Sequence, residues 1–391
     1  MSTDRPSRQT PQSKTVVGLS RYVFARAVVR TVWVTVSTIY AVCAYLLWCG
    51  VFLLPLRLLC SDLYWPMEAV LFRFLQSLVA HWMQTAGYTV SEVGADINAC
   101  MGDECLLLVN HQSTGDVPVL MYFLMGKPAA TGRVLWIIDS VFRFTHFGIC
   151  SMLRGDFFIS SGKKHRVSQL VQLKTHMEHV YSKHQRKWVI LFPEGGFLRK
   201  RRANSQLYAN KHNYPALEHV TLPRLGAMQT LMDLLSPQHR NGYHLANGCK
   251  WRPFKWVIDI TIGYPDQKPL DAFNVTFGDR APCETTLHYR LYSADTVPVE
   301  PEKLQAWLFE RYEEKNKLLE AFYKTGHFPQ TSSSESDNGV ISQPRSIQLS
   351  EWWLRSIHIF FLLSLVLQCY MIWGAWHWLG GLLALSTSFL T

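Results

Sequence analysis

Two stretches of this chain carry no charged residue: one between Arg30 and Arg57, the other from Ser356 to Thr391. Each exceeds the ~20 apolar residues that cross the hydrocarbon core of a bilayer. The first also exceeds the ~7–15-residue apolar region of a cleaved leader, so it reads as a retained anchor. The second suffices for one spanning helix with an interfacial piece, or for a hairpin broken near Gly374 or Gly380-Gly381. Residues 63–84 follow a helical period. Arg73, Gln76, Ser77, His81 and Gln84 share one stripe, and Trp65, Phe72, Phe74 and Leu75 make the remainder apolar. Such a helix lies on a membrane or packs into a core, and the pattern leaves both open.

Between the anchors the period changes. Short apolar runs of strand type at 106–109, 188–192, 256–262 and 287–292 alternate with helical patterns at 116–125, 167–183, 225–235 and 302–323. In the last, Leu304, Trp307, Leu308, Tyr312, Leu319 and Phe322 form one face suited to a core. The alternation predicts an α/β domain with a central mixed sheet flanked by helices, plus membrane segments at both ends. The expected divisions are a basic disordered tail (1–30), an anchor (31–57), an amphipathic or membrane-associated helix (58–86), one folded domain (87–326), a Ser-rich linker (327–350) and C-terminal membrane segments (351–391). No internal repeat is visible.

A net charge of +10 and a pI near 9.1 would suit nucleic acid. No nucleic-acid motif accompanies the charge, and the membrane segments favour anionic lipid instead. Arg5, Arg8, Lys14, Arg21, Arg26 and Arg30 precede the first anchor almost without acids, which places that tail in the cytosol. The 9 cysteines are scattered without a Cys-x-x-Cys pair, so neither a disulfide framework nor a zinc site is indicated.

The chemistry concentrates in Asn110-His111-Gln112-Ser113-Thr114-Gly115-Asp116 and in Phe192-Pro193-Glu194-Gly195-Gly196. Residues five apart on an unbroken helix point about 140° apart, so His111 and Asp116 meet only if the chain turns between them. Gly115 permits the turn, with Ser113 or Thr114 as the expected N-cap of the next helix. Asp116 could then fix the tautomer of His111 and leave its other ring nitrogen as a base. A capping aspartate beside a loop histidine, with no chemistry, is the plainer alternative. Glu194 is open between a second acid, a group positioning substrate and a carboxylate bridging strand ends. The amides of Gly195 and Gly196 are candidate oxyanion donors, or simply a turn after a strand. The run Arg199 to Arg202 could clasp a phosphate or face solvent.

A His-x-x-x-x-Asp turn followed by Phe-Pro-Glu-Gly resembles the glycerolipid acyltransferase superfamily. Its ordered motifs match at Asn110, His111 and Asp116, at Gly155 to Ile159, at Phe192 to Gly195 and at Val220 to Arg224. Two departures concern arginines common in the family: Ser161 stands in one such place, and Gly196-Phe197 replaces Thr-Arg. Arg154, Lys163, Lys164, Arg166 and Arg199 to Arg202 are the available stand-ins, with Arg199 favoured as nearest Glu194 in sequence.

The resemblance implies a single acyltransferase-type domain that transfers a long-chain acyl group from acyl-CoA to a free hydroxyl of a lysoglycerophospholipid. It implies lysophosphatidylglycerol or lysophosphatidylethanolamine as the acceptor. His111 would be the general base, supported by Asp116, with Arg154, Glu194, Gly195, Gly196 and Arg199 binding substrate. No cofactor, metal or nucleic acid is implied; acyl-CoA is a co-substrate and the bilayer a partner. An endoplasmic reticulum membrane with the domain facing the cytosol fits these substrates. A membrane-anchored hydrolase and a non-catalytic lipid-binding scaffold remain as alternatives.

Overall fold

The computed structural model describes residues 12–160, 162, 166–239, 251–329 and 340–388. The chain begins with α1 (Gln12–Leu47), which continues through a π turn at Trp48–Phe52, then α2 (Leu54–Leu59) and α3 (Ser61–Ala86). There follow β1 (Tyr88–Ala95), β2 (Cys105–Val109), α4 (Asp116–Met125), α5 (Pro128–Thr131), β3 (Val134–Asp139), α6 (His146–Arg154) and β4 (Phe157–Ile159). Next come α7 (Arg166–His176), β5 (Trp188–Leu191), α8 (Leu198–Lys211), α9 (Leu225–Leu235) and β6 (Trp256–Gly263). The chain closes with α10 (Ala272–Phe277), β7 (Cys283–Ser293), α11 (Pro301–Thr325), β8 (Val340–Ser346) and α12 (Glu351–Ser388).

The sheet has 8 strands in the order β4-β3-β5-β2-β6-β7-β1-β8. It is mixed: β4, β3, β5, β2 and β6 run parallel, β7 is antiparallel to β6, β1 is parallel to β7, and β8 is antiparallel to β1. Central β2 is buried at every residue, as a strand covered on both faces must be. Its side chains alternate between two cores. Leu107 and Val109 meet α3, α4 and α1, whereas Leu106 and Leu108 meet α7, α9 and α11.

Two expectations are corrected and one open alternative is decided. Residues from Gln12 onward are helical, so the proposed disordered tail does not extend to residue 30; residues 1–11 lie outside the described residues. Of the proposed linker, residues 330–339 lie outside the described residues, and Val340–Ser346 form β8, held at the sheet edge where Arg345 pairs with buried Glu92. The C-terminal segment is one continuous helix through Gly374, Gly380 and Gly381, with no hairpin among the described residues.

The polar stripe of α3 faces inward: Gln76 (0 % exposed), Ser77 (1 %) and His81 (5 %) are buried. Gln76 donates to the Thr131 carbonyl, and His81 Nδ1 meets His358 Nε2 of α12 at 2.9 Å. The outward side, Leu63, Met67 and Val70, is apolar and exposed. Residues Val23–Phe52 and Glu351–Gly381 are long and apolar enough to cross a membrane. On α1 the exposed side is an apolar row of Phe24, Val28, Val32 and Val36.

Candidate active site

The site forms where β2 ends. Past Val109, the Asn110 carboxamide continues the pairing with β6: its Oδ1 accepts from Ile262 N–H at 2.7 Å and its Nδ2 donates to the Ile262 carbonyl at 3.3 Å. Gln112 Nε2 donates to the same carbonyl at 2.9 Å. The strand register thus holds both ends of the turn that carries His111.

Neither Ser113 nor Thr114 is the N-cap of α4. Gly115 occupies that position, without a side-chain bond. Ser113 Oγ donates instead to the Leu270 carbonyl and accepts from Gly115 N–H. A Cβ on Gly115 would lie 2.1 Å from the Leu270 oxygen, so only glycine fits this approach. Asp116, the first residue of α4, points back into the turn, where its Oδ2 accepts from Gln112 N–H at 2.6 Å and Ser113 N–H at 3.0 Å. That oxygen also meets His111 Nδ1 at 2.8 Å, and Oδ1 accepts from the Tyr264 hydroxyl at 2.7 Å. Asp116 is fully buried, while the His111 side chain keeps 14 % of its surface.

The His111 ring lies between two aromatic rings, stacked on Phe192 at 4.2 Å and tilted against Phe197 at 4.4 Å. Its Nδ1 is engaged by Asp116, and its Nε2 has no hydrogen-bond partner among the described residues. Phe197, which with Gly196 stands in place of the Thr-Arg expected from the resemblance, helps to immobilise the imidazole.

Glu194 joins the motifs from below. Oε1 accepts from His111 N–H at 2.8 Å, and Oε2 accepts from Thr221 N–H at 3.0 Å and Thr221 Oγ1 at 2.8 Å. Burial pushes its carboxyl up to about 7, outweighing these hydrogen bonds. Gly195 (φ 65°) and Gly196 (φ 150°) turn the chain into α8. The Gly195 N–H donates to the Phe192 carbonyl at 3.1 Å, which commits it to the turn.

Two arginines flank this turn, and neither is Arg199, which is exposed. Arg201 Nη1 lies 3.5 Å from the Gly195 carbonyl, and its buried Nε has no partner among the described residues. The Arg224 guanidinium lies alongside Gly195, with Nε and Nη1 3.4 Å from where a Cβ would sit. Burial and the neighbouring Arg201 and Arg166 charges lower the Arg224 pKa. Arg202 pairs with Glu218 at the surface. Helical spacing was the available signal: Arg201 N–H bonds the Phe197 carbonyl, one turn into α8.

Arg154 leaves the candidate site altogether. It is 0 % exposed beneath α3, pairing with Asp156 at 3.1 Å and Glu68 at 3.3 Å and donating to the Gly132 carbonyl. Arg186 joins the same network through Glu68 at 3.0 Å. Ser161, Lys163 and Lys164 lie outside the described residues.

Residues 91–234 match the family described as Acyltransferase, and residues 278–353 match Acyltransferase C-terminus. The chain is 42 % identical over 362 residues to Acyl-CoA:lysophosphatidylglycerol acyltransferase 1 of Mus musculus, covering 91 % of this chain and 96 % of that one. It is 41 % identical over 349 residues to the protein of that name in Homo sapiens, covering 88 % and 92 %. The crystal structure of the 1-acyl-sn-glycerophosphate (LPA) acyltransferase PlsC from Thermotoga maritima aligns over 75 % of this chain and 98 % of that one, at 14 % identity and a TM-score of 0.41. The protein is an acyltransferase. Within that class the chain belongs to the family of lysophosphatidylglycerol acyltransferases.

Proposed function

We propose that this chain is a membrane-bound acyl-CoA:lysophospholipid O-acyltransferase with His111 as general base and lysophosphatidylglycerol or lysophosphatidylethanolamine as acceptor. The observation that carries this reading is the buried Asp116 bonded to His111 Nδ1, with Nε2 left open between two aromatic walls. Nε2 takes the proton of the acceptor hydroxyl as its oxygen attacks the thioester carbonyl. A C–O bond forms, the C–S bond breaks, and the imidazolium returns the proton to the departing thiolate. Asp116 stabilises the imidazolium in between. Glu194 holds the backbone under His111, and Arg201 and Arg224 take the acceptor phosphate. The reaction draws on no cofactor beyond the acyl-CoA co-substrate.

The proposed setting is the endoplasmic reticulum membrane with the site facing the cytosol. Support comes from α1, which bonds to the folded body at its middle and near its C-terminal end. Arg30 donates to the carbonyls of Trp82 and Val275, and the Tyr45 hydroxyl donates to Glu68. Between these residues the helix runs about 22 Å along the domain. An anchor laid against the domain keeps tail and site on one side. The Asn274-Val275-Thr276 sequon is then unmodified, and the Asn274 carboxamide already closes a capping box with Asp271. A glycosidase-sensitive mass shift lost in Asn274→Gln would overturn the cytosolic assignment.

Purified protein incubated with acyl-CoA and a panel of lysophospholipids, read by mass spectrometry, tests the function. Acyl transfer to lysophosphatidylglycerol or lysophosphatidylethanolamine is expected. Release of free fatty acid without acylated product would instead make the protein a hydrolase.

A further inference from the structure

On the reading that His111 accepts the acceptor's proton, we propose that Tyr264 is a positioning residue of the reaction, fixing Asp116 and setting the charge that Asp116 presents to His111. The two carboxylate oxygens of Asp116 are used unequally. Oδ2 accepts from His111 Nδ1 and two backbone amides, whereas the Tyr264 hydroxyl is the partner of Oδ1 among the described residues. Both side chains are 0 % exposed, so the bond is shut off from bulk water.

Tyr264 reaches Asp116 from a rigid support. It directly follows β6, whose Ile262 backbone is held by Asn110 and Gln112 from the histidine turn itself. Gln112 in turn meets the Tyr323 hydroxyl of α11 at 3.2 Å. The last residues of β6 therefore hold His111 twice, through the backbone and through the carboxylate. Burial and the neighbouring Asp116 charge push the Tyr264 phenol well above its ordinary range, so it keeps its proton and donates.

The consequence is electrostatic as well as geometric. A donor on Oδ1 neutralises part of the Asp116 charge, and its removal leaves more negative potential at the imidazole while freeing the carboxylate to tilt. Among the described residues, the other titratable groups facing the pair are Glu194 on the β5 side, Arg201 beyond it and Tyr323 on α11. All remain in a Tyr264 variant. Glu194 titrates in the same range as a histidine, so a pH profile of turnover alone does not distinguish them.

The test uses the full chain in lipid nanodiscs as wild type and Tyr264→Phe, with two readouts. One is the rate of acyl transfer to lysophosphatidylglycerol; the other is carbethoxylation of His111 by diethyl pyrocarbonate across pH, followed by peptide mass spectrometry without turnover. The expected result is a kcat lowered about 10-fold, the loss of one hydrogen bond to a charged group, with KM nearly unchanged. The midpoint of His111 modification should move to higher pH. A midpoint equal to wild type overturns the proposal, whether or not kcat falls. Should Tyr264→Phe fail to fold, 3-fluorotyrosine at 264 keeps the hydroxyl as a stronger donor. It should move the midpoint to lower pH, and an unmoved midpoint overturns the proposal equally. A wild type that transfers no acyl group defeats the functional reading, while the modification midpoint still decides the role of Tyr264.

Discussion

Asp116 and Glu194, at the end of β2 and β5, take their hydrogen bonds from backbone amides, hydroxyls and one imidazole. Glu68 of α3 and Asp156 beneath it, also buried, take theirs mainly from Arg154 and Arg186. The difference separates chemistry from architecture. A carboxylate solvated by neutral dipoles, as Asp116 is, can direct its charge to a neighbouring histidine. One that is matched by guanidiniums is already neutralised and can only hold elements together. In this chain it ties α3 to α6, β4 and the segment before β5.

The first way to break this comparison is His111→Ala, which should lower transfer about 10²- to 10⁴-fold while leaving thermal unfolding unchanged. Retention of more than a tenth of wild-type turnover would remove the histidine from the chemistry. On the architectural side, Glu68→Ala leaves Arg154 and Arg186 without their shared partner. It should cost about 3–5 kcal/mol of stability in chemical denaturation. A variant as stable as wild type would show that the network does not carry the load assigned to it.

Glu194 sharpens the contrast through pH. Its folded-state pKa is raised from 4.5 to about 7, so the folded protein holds this proton more tightly than the unfolded chain. The resulting stabilisation is full below pH 4.5 and is lost as pH rises through about 7. Glu194→Gln should flatten that window by about 1–3 kcal/mol, as read from denaturation midpoints at the two ends. Identical pH slopes in both proteins would refute the raised value. The smallest effect separates neighbouring arginines. Arg201→Ala should raise the acceptor KM about 10-fold with kcat largely kept, whereas Arg199→Ala should change neither beyond about twofold. Equal losses would move the anion-binding position back to Arg199.

The parts legible in the sequence were those with one uninterrupted signal. The apolar run of β2 and the 3.6-residue period of α4, α9 and α11 gave their elements, and the turn that Gly115 permits, together with the family resemblance, gave the pairing of His111 and Asp116. What was hidden has physical causes. Strand β1 contains Ser91 and Glu92, both buried, whose partners Thr286, Lys127 and Arg345 lie far along the chain. β4 spans only Phe157–Ile159, and α8 is so polar that its residues read as a charge run. Arg154 was placed at the site, and Arg199 was preferred to Arg201, for the same reason. Closeness in sequence to a motif says nothing about direction, and α6 turns Arg154 under the sheet while α8 turns Arg201 toward Gly195. Tyr264 was missed because a tyrosine after a buried strand carries no pattern of its own.

The attachment of α1 also bears on how the enzyme can be handled. Trimming the first fifty residues to obtain a water-soluble version would take Tyr45 from Glu68 and Arg30 from the carbonyls of Trp82 and Val275. It would also bare the surface of α3 that Val34, Ala41 and Ala44 cover. The shortened protein would thus lose part of its interior along with its membrane contact. Preparations that keep the first helix and supply amphiphile for its outer row are the ones in which the histidine turn should survive.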